Sequence, residues 1–232
     1  MYSHIKHIFF DLDHTLWDFE TNSREALSDM FSKHELEEKC NTTFCEWIDV
    51  YEAINHQYWN LYSTRGITKE ELRYRRFYDA FLHFKYDDLE LSKHWAEEYL
   101  QISPYKTNLM PGAMEVLDYL KPRYTLHLIT NGFKEVQNIK IDKSRLRAYF
   151  HTILISEEHG VSKPEPEIFR LAETLSGAST GECLMIGDNH DMDINGAKGA
   201  NWKAIHLNVA GNNEEKPGTV QISELKELLR ML

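Results

Sequence analysis

No apolar run in this chain approaches the roughly 20 residues needed to cross a bilayer, which argues against a membrane partner. The opening Met1-Tyr-Ser-His-Ile-Lys leads straight toward a strand and lacks the pattern of a secretory leader, so a cytoplasmic location is expected. Cysteine is scarce. Cys40, Cys45 and Cys183 form an odd set without paired metal spacing, which speaks against a disulfide framework and fits reduced thiols. Cys183 lies in an apolar run and reads as core. The 12 histidines show no ligand spacing either. Positive charge is also in deficit: 26 Lys and Arg stand against 37 Asp and Glu, a net −11. Such a surface disfavours binding to a nucleic acid polymer. A small anionic substrate remains compatible with it, because salt screens charges beyond about 8 Å and a local site can be positive. Internal repeats and low-complexity segments are missing as well.

What is present is ordinary globular material. The chain has 232 residues, 42% hydrophobic and 27% charged, enough for one large domain or a core domain carrying an insertion. The organising stretch is Ile8-Phe-Phe-Asp11-Leu-Asp13-His-Thr15-Leu16. Ile8 to Phe10 has the length and residue types of a buried strand. It ends in two carboxylates one residue apart, where an open α/β sheet collects its chemistry. Two such groups repel unless a cation or a shared proton compensates them, and Mg²⁺ with its oxygen ligands suits that role. One carboxylate can then attack a phosphoryl group while the other moves a proton. The competing reading is a pair of capping residues in a surface turn.

From Trp17 to about Leu109 strand-like alternation disappears. Helical spacing predicts helices over Thr21 to His34, Phe44 to Tyr62, Thr68 to Phe84, and from Asp88 to just before Pro104. Thr68-Lys-Glu-Glu71 has the form of a capping box. Beyond Pro111-Gly112 strands and helices alternate. Strands are expected at Tyr124 to Thr130, Thr152 to Ile155, Cys183 to Gly187 and Ala204 to Leu207. Helices are expected at Ala113 to Leu120, Phe133 to Ile141, Pro166 to Leu175, Asp191 to Ala200 and Ser223 to Met231. The polar stretch Asn208 to Gly218 reads as a loop. This alternation implies an α/β fold, a parallel sheet with helices on both faces. Residues 1–16 and 110–232 would form the sheet domain, and 17–109 an inserted four-helix unit.

Four polar clusters follow strands. They are Asp11 with Asp13; Thr130-Asn131-Gly132; Lys163 in Ser162-Lys-Pro-Glu-Pro; and Gly187-Asp188-Asn-His-Asp191-Met-Asp193. Hydroxyl and backbone N–H groups at a helix start can hold phosphate oxygens, although Thr and Asn are also common plain caps. A single lysine before a proline is ordinarily solvated. Taken together, two acidic clusters, one hydroxyl–amide turn and one cation describe a magnesium site beside a phosphate site.

In order and spacing, these four segments resemble the motifs of the haloacid dehalogenase (HAD) superfamily, over Ile5 to about Leu207. The resemblance implies a Rossmann-like three-layer core with a helical cap of the C1 class. It implies Asp11 as the nucleophile that becomes an aspartyl phosphate, and Asp13 as general acid and then base. Asp11, the backbone carbonyl of Asp13, and Asp188 would hold Mg²⁺. Thr130 and Lys163 would bind phosphoryl oxygens with help from Asn131 and Gly132, and Asp193 would orient Lys163 or the metal's waters.

Phe10 to Glu20, chiefly His14, Trp17 and Phe19, further resembles bacterial phosphatases of pyrimidine nucleoside 5′-monophosphates. The expected substrate is therefore a small phosphorylated metabolite, a nucleotide first, handled by a monomer or homodimer. Sugar phosphatase, haloacid dehalogenase, phosphonatase and phosphomutase are the alternatives within the superfamily; a phosphoaspartate signalling module or a binding scaffold lies outside it. Asp13 and the Asp188 cluster favour phosphate chemistry over dehalogenation. Trp47, Tyr51, Tyr58, Trp59, Tyr62, Tyr74 and Phe77 offer either a base-stacking face or bundle core. His56, Arg65, Arg73, Arg75 and Arg76 are either substrate contacts or solvated.

Overall fold

A computed structural model describes residues 2–209 and 218–232. The expected loop Asn208 to Gly218 therefore lies mostly outside the described residues.

The first strand, β1 (His7–Phe10), forms where the short apolar run predicts it. It is followed by α1 (Phe19–Lys33), α2 (Leu36–Cys40), α3 (Phe44–Ser63), α4 (Lys69–His83) and α5 (Leu89–Ile102). The α/β alternation comprises α6 (Ala113–Leu120), β2 (Thr125–Thr130), α7 (Lys134–Lys143), β3 (Thr152–Ile155), α8 (Pro166–Ser176), β4 (Cys183–Gly187), α9 (Gly196–Gly199), β5 (Lys203–Leu207), β6 (Val220–Ile222) and α10 (Leu228–Met231). Among the described residues six parallel strands take the order β3-β2-β1-β4-β5-β6, a Rossmann-like sheet. β1 is central, and the chain order reverses between β1 and β4. Phe10 lies opposite Leu128 on β2 and Ile186 on β4, so the residues after all three strands meet at one end.

Side chains on a strand alternate between faces, and here both faces are covered. Ile8, Phe10, Leu128, Leu184 and Ile186 pack with Val116, Leu117 and Leu120 of α6 and with Leu228. Phe9, Ile129, Leu154 and Met185 pack on the other face with Ile168, Phe169 and Ala172 of α8 and with Trp202. Three layers result.

The chain divides into two compact units. One joins Met1–Phe19 to Thr107–Leu232, and the other is the continuous segment Glu20–Lys106. Where the sheet unit's two pieces meet, the Met110 N–H donates to the Leu16 carbonyl at 2.9 Å. The helical unit has its own core. Leu27, Met30 and Phe31 of α1 meet Trp47 and Tyr51 of α3, Phe77 and Phe81 of α4, and Trp95 of α5. Thr43 and Thr68 close capping boxes with Glu46 and Glu71 at the starts of α3 and α4. The short helix α2 is additional to the four expected.

Three local differences from the sequence reading have simple causes. The edge strand β6 has three residues, too few to show alternation. The last helix is split into a 3₁₀ turn at Leu225–Glu227 and the short α10. The segment expected as a helix from Asp191 begins as a wider π-helical turn over His190–Asn195. Asn189 caps this turn: its Oδ1 accepts the N–H groups of Asp191 (3.1 Å) and Met192 (2.9 Å), while its own N–H donates to Asp193 Oδ2 (3.0 Å).

Candidate active site

The parallel register brings the ends of β1, β2 and β4 together, and with them most of the predicted residues. Asp11 follows β1 directly. Its N–H continues the sheet by donating to the Ile186 carbonyl at 3.0 Å, and its side chain is buried. Lys163 Nζ donates to Asp11 Oδ1 (2.5 Å), Asp193 Oδ1 (2.6 Å) and the Ile129 carbonyl (2.9 Å). An ammonium has three hydrogens, and all three are used. Burial works to lower the Lys163 ammonium, but the two carboxylates overcome it and hold it above the ordinary lysine range.

Asp188 follows β4 and is tied to the β1 segment. Thr15 Oγ1 donates to Asp188 Oδ1 at 3.0 Å and accepts the Asp188 N–H at 3.1 Å. The sequence reading assigned Thr15 no role; it is a fully buried link between two motifs. Asp193 comes inward on the π-helical turn, and any Cβ at Gly187 would run into it. Asp191, one of the three carboxylates expected here, points to solvent with its side chain 83% exposed.

Asp11, Asp188 and Asp193 each offer one carboxylate oxygen, and these atoms lie within 4.8 Å of one another. One ammonium, Lys163, faces three acids. Burial pushes Asp11 up to about 7, with Asp193 and Asp13 adding to the rise and Lys163 opposing it. Burial and the Asp11 charge push Asp188 up to about 6. Such a surplus of buried negative charge fits a divalent cation that takes oxygen ligands. Asp193 is the least available of the three, because one oxygen holds Lys163 and the other accepts from Asn189.

The Thr130 turn follows β2. Thr130 Oγ1 accepts from Gln137 Nε2 at 2.6 Å. Asn131 clamps the Lys163 peptide from both sides: its Nδ2 donates to the Lys163 carbonyl (2.8 Å) and its Oδ1 accepts the Lys163 N–H (3.0 Å). Its side chain therefore sets the lysine loop. Gly132 lies so close to Gln137 that a Cβ there would overlap the amide.

Asp13 is turned toward α7, where two residues outside the sequence prediction receive it. Lys140 Nζ donates to Asp13 Oδ1 at 2.5 Å, and Gln137 Nε2 to Asp13 Oδ2 at 2.7 Å. Burial alone would raise this carboxyl; Lys140 and Gln137 overcome that and hold it below the usual carboxylate range. A signal for both existed. Gln137 and Lys140 stand four and seven residues after Phe133, on the buried face that continues to Ile141. Polar residues on the apolar stripe of a helix call for a partner.

The aromatic residues divide sharply. Trp17, one of the residues that carry the resemblance to nucleotidases, is fully buried and offers no face to a substrate base. Trp47, Tyr51 and Phe77 stack in series inside the helical unit at 5.1 Å spacings. Arg76 is buried there too, over the rings of Phe77 and Tyr99 at 4.9 and 5.1 Å, with Nη1 on Asn55 Oδ1 at 2.8 Å. Tyr58, Trp59, Tyr62 and Tyr74 retain partial exposure. In the same unit His34, His94 and Glu98 come within 4.8 Å, although their sequence spacing gave no metal signal. The Glu98 carboxylate there is already shared by Lys33 and His34, each at 2.6 Å, an ion-pair cluster that is satisfied as it stands.

The family model for haloacid dehalogenase-like hydrolases matches residues 5–201. The pyrimidine 5′-nucleotidase YjjG of Escherichia coli is 32% identical over 97% of this chain and 96% of its own length. The pyrimidine 5′-nucleotidase PynA of Streptococcus pneumoniae is 29% identical over 98% of this chain and 94% of its own. Among solved structures, the magnesium-bound HAD-hydrolase YfnB of Bacillus subtilis superposes with a TM-score of 0.86 at 24% identity, covering 98% of both chains, a likeness of fold.

Proposed function

From the premise that this chain belongs to the haloacid dehalogenase-like hydrolase family, we propose that it hydrolyses phosphomonoesters through an aspartyl phosphate, with pyrimidine nucleoside 5′-monophosphates as substrates. The observation that carries the chemistry is the pairing of two carboxylates with different partners, two residues apart at the end of β1. Asp11 faces Lys163 and the acidic cluster, while Asp13 faces Lys140 and Gln137. One serves as nucleophile and the other moves protons.

An Asp11 oxygen attacks phosphorus as the ester P–O bond breaks, and Asp13 gives its proton to the departing oxygen. A water then attacks phosphorus, Asp13 takes its proton, and the Asp11–phosphate bond breaks. The phosphoryl transition state is loose and rich in charge, so positioning and electrostatics dominate. Lys163 supplies positive charge beside Asp11. A phosphoryl oxygen arriving there would take over the N–H that Asp11 now receives. Thr130 and the N–H groups of Asn131 and Gly132 would hold the remaining oxygens. Magnesium, held by Asp11, Asp188 and the Asp13 carbonyl, would neutralise charge shared by the nucleophile and the phosphate. Asp193 keeps Lys163 aimed.

The substrate assignment is supported by the two nucleotidase relatives and by the length over which they match. It is tested by measuring kcat/KM for dUMP, dTMP, UMP, AMP and a panel of hexose and triose phosphates with Mg²⁺, then with EDTA. The pyrimidine nucleotides should lead the panel, and EDTA should stop turnover. A clear lead for a sugar phosphate would remove the nucleotidase reading; full activity in EDTA would remove the metal.

A further inference from the structure

Resting on that phosphatase reading, we propose that Lys140 is a positioning residue for the acid–base step, acting through Asp13 and working together with Gln137.

Lys140 is 3% exposed. Burying an ammonium is costly unless it is paired, and replacing a buried ion pair with apolar side chains is often neutral or stabilising. Stability of the fold therefore does not call for a lysine at this position, whereas Asp13 does. The ammonium stands 2.5 Å from Asp13 Oδ1, over the ring of Trp17 at 4.1 Å and near that of Phe19 at 5.2 Å. Trp17, part of the segment that resembles nucleotidases, thereby gains a role, walling in Lys140 by cation–π contact.

Gln137 fixes the other end of the carboxylate. Its amide nitrogen has two hydrogens; one goes to Asp13 Oδ2 at 2.7 Å and the other to Thr130 Oγ1 at 2.6 Å. One side chain thus ties the proton-moving group to the turn that would hold the phosphoryl oxygens. Both oxygens of Asp13 are held from α7, so this helix determines where the carboxylate points. Lys140 and Gln137 hold Asp13 in its anionic form at rest, and because each carboxylate oxygen has two lone-pair directions, Oδ2 can accept from Gln137 and still take up the proton that it then delivers. That proton goes to the leaving oxygen in the first half-reaction and is replaced from water in the second. Lys140 and Gln137 give up none. Misplacing a reacting group by about 1 Å can cost roughly 10²-fold in rate.

The test compares turnover of an alkyl ester, whose leaving group needs a proton, with p-nitrophenyl phosphate, whose leaving group does not. Uridine 5′-monophosphate is the alkyl ester, or glucose 6-phosphate should the nucleotide be refused. Because the aspartyl phosphate is common to both esters, the comparison is made in kcat/KM, which reports the steps up to its formation: Lys140→Met should lose at least tenfold more kcat/KM on the alkyl ester than on p-nitrophenyl phosphate, and Lys140→Arg should recover part of the loss. In an Asp13→Asn background, Lys140→Met should change either rate by less than about twofold, because its effect passes through Asp13. Equal losses of kcat/KM on both esters, or a full additional loss in the Asp13→Asn background, would overturn the assignment. Should Lys140→Met fail to fold, Gln137→Met removes the other tether and is read by the same two comparisons. Wild-type protein inactive on every phosphate ester would take down the phosphatase reading and this proposal together. Wild-type turnover with a leaving-group-blind Lys140 variant would take down this proposal alone.

Discussion

At the scale of single residues, the site separates groups by what they face. Asp11 and Lys163 are both buried, yet removing one is a different act from removing the other. Asp11→Asn keeps shape and deletes a carboxylate that burial already pushes up to about 7, and Lys163 retains Asp193. This variant should lose all turnover and melt within a few degrees of wild type. Lys163→Met instead strips the cation from two buried acids at once. Breaking a buried pair from one side costs about 3–5 kcal/mol, so it should lose turnover and melt well below wild type at neutral pH. Steady-state assays with calorimetry on both variants check the contrast; a Lys163→Met protein as stable as wild type would show that the acids are compensated by something else.

At the scale of elements, β2 carries a histidine where a strand buried on both faces ordinarily carries aliphatics. His127 lies against the Phe9 ring at 4.4 Å, with His7 Nδ1 3.1 Å from its Nε2 and His151 beyond at 5.7 Å. Burial lowers His127 to about 3, with repulsion from His7 and His151 adding to it. His7 is lowered as well, by burial first, with Glu182 opposing. The sign follows from linkage. A histidine held neutral in the fold takes up a proton on unfolding once the pH drops below about 6.5. Its contribution to stability is complete above that value and is lost progressively as the pH falls toward about 3. His127→Leu should therefore have a flatter stability profile than wild type between pH 6.5 and pH 4, measured by denaturant unfolding in a pH series. Parallel profiles would mean that the ring is protonated in the fold.

At the scale of the whole molecule, each unit has a core of its own. Trp47 is fully buried among Phe31, Tyr51, Phe81 and Trp95. Trp47→Ala should cost the helical unit about 3–5 kcal/mol. Calorimetry should show one component of the melting curve moving while the sheet unit's component stays; a uniform shift of a single transition would mean that the units unfold as one. The alternation of strands and helices, the change to helical spacing after Leu16, and the acids, hydroxyl and lysine that follow strands were all legible in the chain, because a strand's length, its apolar run and the polar residues at its end are local properties. Six parallel strands with β1 in the centre then required the residues after β1, β2 and β4 to meet. What the linear pattern could not hold was which side chain faces which. Asp193 enters the site and Asp191 leaves it on the wider turn that Asn189 caps. Trp17 is enclosed, and Gln137 and Lys140 reach Asp13 across 124 and 127 residues of chain. Those pairings depend on strand order and on the rotation of α7 against the sheet, and both are settled only when the layers pack.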